Sequence, residues 1–449
     1  MLRVLTAPPV LILFLLRQFR LLRLGKTTHM TTPLASSDIQ SEIVLHRMSN
    51  GMTVIVQPMP WLRSAAFTLS FSAGISQESD ELAGLAAMTC EMVQRGAGPY
   101  SSRDLVAAQD NLGLDRNSGV LTNVASFGAA MPAESFDQAL SVYAEILRRP
   151  HLPANQLDDA RMMMMQELRA IEDEPSHRVM RRLRQMRYGD RLGRGPQGTL
   201  ESLQAISQDH VREFFQSHYQ ANGAVLTVAG NVQPQQIIAR AEAEFGDWKQ
   251  GDKAVLYEAE SSPGYDSLEV DTSQTHIAFG FPCIPYGHER YFKMRAGIGI
   301  LSDGMSSRLF DRVREQRGLC YTVSASCHSL PNAASVFGYA GTTPERAQET
   351  LDVTLHEVKH LVDDLQQSEL DRWKVRIESA LVMEQESSAS RASSLASDFF
   401  QLGRPLETKA LSELIEGITL SDVQDYWTEN PPQDFHVVTL GPQPLTVTL

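Results

Sequence analysis

Within GMSSRLFDRVREQRGLCYTVSAS, residues 304–326, two side chains have the chemistry to act on a carbonyl: Arg314 and Tyr321. A guanidinium and a phenol both donate hydrogen bonds, and such a pair suits a carbonyl oxygen or the oxyanion that forms when the carbonyl is attacked. On residue types alone, a solvated arginine and a half-buried tyrosine are the commoner occupants of such positions.

A second constellation lies downstream. His356, Glu357, Val358, Lys359 and His360 spell HExxH, a zinc-peptidase pattern when it sits on a buried helix facing a cleft. At about 100° per residue, Leu351, Leu355, Val358, Val362 and Leu365 line one apolar stripe. His356 and His360 point away from it, so a solvated helix face is expected, and no third ligand follows in an HxxGxxH arrangement.

The elements that must position Arg314 and Tyr321 are legible. Leu309, Phe310 and Val313 are apolar at helical spacing, Gly318 stops that helix, and Leu319 to Ser324 read as a strand with Tyr321 at its start. Further upstream, residues 43–60 read as two strands around an Asn50-Gly51 turn, followed by a strand from Ala65 to Ala73 and a helix from about Leu82 to Gln94. Met162 to Met165 read as core packing on a helix, with a methionine-rich metal site as the second reading.

The chain also repeats itself. Leu203, Ile206, Ser207, Val211, Phe214 and Phe215 answer to Ile415, Ile418, Thr419, Val423, Tyr426 and Trp427 at one constant offset, as do Val225 and Thr227 to Val437 and Thr439. A constant offset across helix and strand units means a duplicated domain of roughly two hundred residues. Strand runs alternate with long amphipathic helices, so the class is α+β, a mixed sheet covered by helices in each half. The expected division is an N-terminal segment 1–42, a first domain 43–245, a linker 246–266 rich in Gly, Lys, Glu, Ser and Pro, and a second domain 267–449.

Composition bounds the function. The 449 residues carry a net charge of −14, which argues against a nucleic-acid partner. Residues 1–29 hold Arg3, Arg17, Arg20, Arg23 and Lys26 with no acid, around an apolar run from Val10 to Leu16 too short to span a bilayer. Translation from Met30 or a targeting segment accounts for them. Cys90, Cys283, Cys320 and Cys327 form no CxxC pair and read as reduced thiols, which places the expectation in the cytoplasm.

The 304–326 stretch resembles the arginine and tyrosine signature in the C-terminal half of the pitrilysin/insulinase family of zinc peptidases, and 192–232 resembles the family's Gly-rich loop, helix capped at Ser207 and hydrophobic strand. The resemblance implies two similar α+β halves facing each other like a clam shell. It also implies that Arg314 and Tyr321 orient substrate and transition state opposite a zinc.

The family carries that zinc on HxxEH after a Gly-Leu-Ala lead. Here Gly84, Leu85 and Ala86 are followed by Ala87, Met88, Thr89, Cys90 and Glu91. The first histidine position is Ala87, the glutamate position Cys90 and the second histidine position Glu91, while Glu167 stands where the family's third ligand falls. A zinc site needs two imidazoles on one helical face and a carboxylate to activate water. The expectation is therefore that this chain holds no metal. It would act as the zinc-free subunit of a hetero-oligomer, orienting an extended peptide for a zinc-bearing family subunit. The alternative is a non-catalytic scaffold like the respiratory-complex core subunits of this fold. A third reading is an autonomous peptidase with an unusual site drawn from Glu91, Glu167, Cys90 or His210.

Overall fold

The computed structural model describes residues 42–448; the expected N-terminal segment 1–42, with its basic and apolar stretch 1–29, lies outside them apart from Glu42. β-branched and aromatic runs form eleven strands in two mixed sheets. The first sheet runs β1-β2-β6-β3-β5-β4, from β1 (Val44–Arg47), β2 (Thr53–Pro58), β3 (Ser64–Phe71), β4 (Asp115–Val120), β5 (Ala125–Pro132) and β6 (Val225–Gly230). The second runs β7-β11-β8-β10-β9, from β7 (Gly264–Glu269), β8 (Thr275–Cys283), β9 (Thr322–Ser329), β10 (Ala334–Thr342) and β11 (His436–Gly441).

The sequence repeat is a repeat of register. Thr53 pairs with Val225 in the parallel β2/β6 ladder, and Tyr265 pairs with Val437 in the parallel β7/β11 ladder. All other pairings are antiparallel. The second sheet is thus the first without β1. The helices repeat as well: Ser207 caps the Gln208–His218 helix and Thr419 caps the Leu420–Glu429 helix, each in a reciprocal capping box.

The halves are interlocked by exchanged helices. Pro175–Gly193, from the first half, packs across β8 and β11, where Val179, Leu183, Tyr188 and Leu192 share a core with Ala278, Phe337, Val438 and Leu440. Ser388–Leu402, from the second half, packs across β3 and β6, where Ala392 and Leu395 meet Ala66, Ala229, Ile55 and Val225. Each helix therefore covers one face of the other half's sheet, the opposite face packing on that half's own helices. The chain crosses between the sheets without helix or strand from 246 to 263. It is held on the way by the Gln77 amide, which donates to the Val255 carbonyl over 2.8 Å, and by Arg191 stacked 4.5 Å from the Tyr257 ring.

Three local expectations change. The helix expected from about Leu82 to Gln94 is a short Asp80–Leu82 turn followed by Leu85–Met92, because Gly84 turns left-handed (φ 97°) between them. Of the methionine run, Met164 is buried and Met165 packs partly on the core, but Met162 and Met163 are 56% and 43% exposed. Four consecutive residues cover more than one turn, so a single stripe cannot bury them all. The segment carrying Arg314 is a π-helix, Leu309–Glu315, rather than an α-helix.

Candidate active site

The π-helix is anchored by Arg308, which stands at its N-cap, and by Arg312 within it. Arg308, 2% exposed, makes a two-pronged pair with Glu369, both bonds 2.8 Å, and donates to the Leu361 carbonyl. Arg312 donates to Glu357 over 2.7 Å and to Asp364 over 2.5 Å. Beneath them Leu309 and Val313 are fully buried. These bonds use planar guanidinium forks to fix the wide turn against two neighbouring helices. Wide turns of this kind recur at functional sites.

Arg314 has no such role. Its guanidinium lies 4.6 Å from the Phe310 ring and 3.8 Å from the Glu315 carboxylate, with 41% of the side chain exposed. The chain then turns at Gly318 (φ 60°), whose amide donates to the Arg314 carbonyl over 3.0 Å. Tyr321 follows just ahead of β9, tied by its amide to the Gly341 carbonyl, and is 65% exposed. Between them Cys320 is buried, and its thiol is pushed up to about 11 by that burial, opposed by the Arg314 charge. The fold places Arg314 and Tyr321 on the two sides of one turn, the Arg314 side chain partly and Tyr321 largely open to solvent.

The positions that the resemblance sets against the family's zinc ligands sit on the Leu85–Met92 helix and beside it. Ala87 packs on the core and offers no donor atom. Cys90 is buried, its thiol pushed up to about 12 by burial and by the Glu91 charge, so the metal-binding thiolate is disfavoured. Glu91 pairs with Arg95 over 3.0 Å one turn on. Glu167, on the adjacent Leu157–Glu172 helix, is exposed and accepts from the Gln197 amide over 3.0 Å. His210 closes the capping box at Ser207. Among the described residues no group of three or more His, Cys, Asp or Glu side chains is placed to share a metal ion. The donor set at this helix does not fit a zinc ion.

A residue between β3 and this helix, Glu78, is structural to it. Glu78 is fully enclosed and accepts from the backbone amides of Gly84 (3.1 Å) and Ala86 (2.7 Å). Gly84 has no side chain with which to cap, so the first-turn donors need an acceptor from outside the helix. Burial pushes the Glu78 carboxyl up to about 7, against the lowering effect of those amides and of Arg194, 3.7 Å away. A glycine at the cap with an acid six residues upstream is the signal that could have found it.

Comparison with known proteins agrees with this architecture. The family model for insulinase (peptidase family M16) matches residues 53–199, and that for the peptidase M16 inactive domain matches 205–376. The chain belongs to the insulinase family. An uncharacterized zinc protease of Rickettsia felis is 26% identical over 382 residues, covering 84% of this chain and 92% of that protein. A peptidase M16 inactive domain from Pseudomonas fluorescens superposes with a TM-score of 0.81 at 20% identity, covering 91% of this chain and all of the other. A chain of Complex III2 from Candida albicans superposes with a TM-score of 0.77 at 17% identity, covering 89% of this chain and 96% of that one. These likenesses carry the two-domain insulinase fold.

Proposed function

We propose that this insulinase-family chain is the zinc-free subunit of a two-subunit peptidase, binding and orienting an extended peptide for a zinc-bearing partner of the same family. The observation that carries the reading is the contrast among the arginines of the π-helix and its cap. Arg308 and Arg312 are ion-paired to neighbouring helices, whereas Arg314 pairs only locally, with Phe310 and Glu315, and keeps 41% of its side chain exposed, and Tyr321, past the Gly318 turn, is 65% exposed.

In this reading the partner subunit holds the zinc, which supplies the activated water. The residues of this chain do the rest. The Arg314 guanidinium and the Tyr321 phenol donate to the scissile carbonyl and stabilise the oxyanion that develops there. β9 is an edge strand and begins immediately after Tyr321, so an extended peptide pairing with it through its backbone runs beside both donors. No helix among the described residues is long and apolar enough to cross a membrane, and the four cysteines are free thiols, which supports a place in the cytoplasm.

The test is co-expression. The chain is purified alone and with a zinc-bearing family subunit, and each preparation is assayed for zinc and for cleavage of an unstructured peptide. Cleavage by the pair alone, lowered by Arg314→Ala, is the expected result. Cleavage unaffected by that substitution would sink the orienting role. Stable pairing without cleavage would leave the scaffold reading, and zinc with cleavage by the isolated chain would overturn both.

A further inference from the structure

The HExxH segment that the peptidase reading does not use has a geometry of its own. His356 and His360 lie in the last turn of the Ala347–Lys359 helix and at its cap, both exposed, with ring centres 4.2 Å apart and ring planes 39° apart. Glu357 faces the other way, buried and ion-paired to Arg312 over 2.7 Å.

We propose that His356 and His360 form a surface site for one borderline divalent cation of the Zn2+, Ni2+ or Cu2+ class, separate from peptide hydrolysis and independent of the reading above. Four features support it. Imidazoles four residues apart on one helical face are a two-point ligand for such an ion, and rings this close need only a small rotation to present one nitrogen each. The Asp363 carboxylate takes the hydrogen bond of His360 Nδ1 at 2.9 Å, which fixes the tautomer and leaves Nε2 as the lone-pair donor. The pair sits where unpaired carbonyls at a helix C-terminus favour a cation.

The fourth feature is room. A surface depression of 220 Å³ opens beside the pair, between the helix and residues 446–448, and includes Asp352 in its lining. Lys359 also lines this depression, its ammonium held 3.5 Å from the Thr448 carbonyl and 5.3 Å from the Phe435 ring. With two protein ligands, the ion keeps water on its remaining positions. The carboxylate that would activate such a water in a peptidase is committed to Arg312, so the site binds without hydrolysing.

The test uses the full chain without a histidine tag, stripped with a chelator and titrated calorimetrically with zinc chloride and nickel chloride. One equivalent is expected, weakened at least tenfold by His356→Ala or by His360→Ala and several-fold by Asp363→Asn. Zinc should also raise the melting temperature of the wild type and leave that of the double histidine variant unmoved, since an ion that binds only the folded helix stabilises it by mass action. These positions are exposed, and circular dichroism before titration confirms that the variants are folded. Absence of binding by the wild type, or an equivalent that survives both histidine substitutions, would overturn the assignment.

Discussion

The Thr227 hydroxyl, on the central strand of the first sheet, donates to the Ala392 carbonyl over 2.7 Å, on the exchanged helix of the second half. One residue away, Arg391 extends the same seam. It is 4% exposed and donates to Gln57 on β2 (2.5 Å), to Glu384 (3.0 Å) and to the Leu406 carbonyl (2.8 Å). The halves are joined by buried polar bonds as well as by apolar faces.

Arg391→Ala should therefore cost about 3–5 kcal/mol, the range for removing one member of a buried ion pair, because Glu384 and Gln57 lose their partner together. Urea unfolding followed by tryptophan fluorescence measures it. A loss below about 1 kcal/mol, the ceiling for most exposed ion pairs, would mean that water already reaches the seam.

Glu78 should make stability fall as pH rises. Its folded carboxyl titrates near 7, above the ordinary 4.5, so the native state holds a proton that the unfolded chain has released between those two values. The loss begins near pH 4.5 and is complete just above 7. Asp398, pushed by burial up to about 6, adds a similar loss at the lower end of that range. Glu78→Gln isolates the first contribution: from pH 5 to 8 the wild type should lose about 2–3 kcal/mol more than the variant. Parallel pH profiles would show that the enclosed carboxyl stays ionised in the native protein.

How much of this was visible in the sequence depends on the range of the interactions. The capping residues Ser207 and Thr419, the turn at Asn50-Gly51 and the stop at Gly318 are local signals, and each stands where the residues placed it. The two-sheet fold followed from the repeat. The exchange of Pro175–Gly193 and Ser388–Leu402 did not, because an amphipathic helix records that it has a partner without recording which sheet. The π-helix was hidden for a related reason: its widening is held by Glu369, Glu357 and Asp364, all more than forty residues away. Arg314 and Tyr321 could be named early, but that Arg314 pairs only locally and Tyr321 stays exposed is a property of the fold.

The Tyr291–Ser302 helix offers a sharper packing test. A Cβ on Gly299 would lie 2.0 Å from the buried Trp373 ring, and one on Gly297 would lie 2.0 Å from Trp427. Alanine in a helix gains roughly 1 kcal/mol over glycine, but overpacking a filled core costs about 1–3 kcal/mol, occasionally more. With whole indole rings in the way, the clash should win. Gly299→Ala is expected to lower the melting temperature and shift the fluorescence of Trp373; a rise in melting temperature would show that the ring can move aside.

Cys90 should be chemically silent in the native chain. Reactivity requires thiolate, and this thiol is enclosed and pushed up to about 12. Iodoacetamide at pH 8 should leave Cys90 unmodified until denaturant is added, as peptide mass spectrometry would read. Labelling of the native protein at Cys90 would mean that the Leu85–Met92 helix opens to solvent. It would also restore this position as a ligand candidate.

The last prediction separates a working site from a structural one. Arg314, 41% exposed at its side chain, pairs only locally with Phe310 and Glu315, and Tyr321 is exposed, so Arg314→Ala and Tyr321→Phe should each leave stability within about 0.5 kcal/mol, as ordinary surface changes do. Arg308→Ala, by contrast, strands Glu369 and should destabilise strongly. If the exposed pair orients a peptide carbonyl, loss of one donor should lower the turnover of the two-subunit peptidase by roughly 10²–10³-fold while the thermal transition of this chain stays in place. A melting temperature that falls in step with activity would show that Arg314 holds up the π-helix instead.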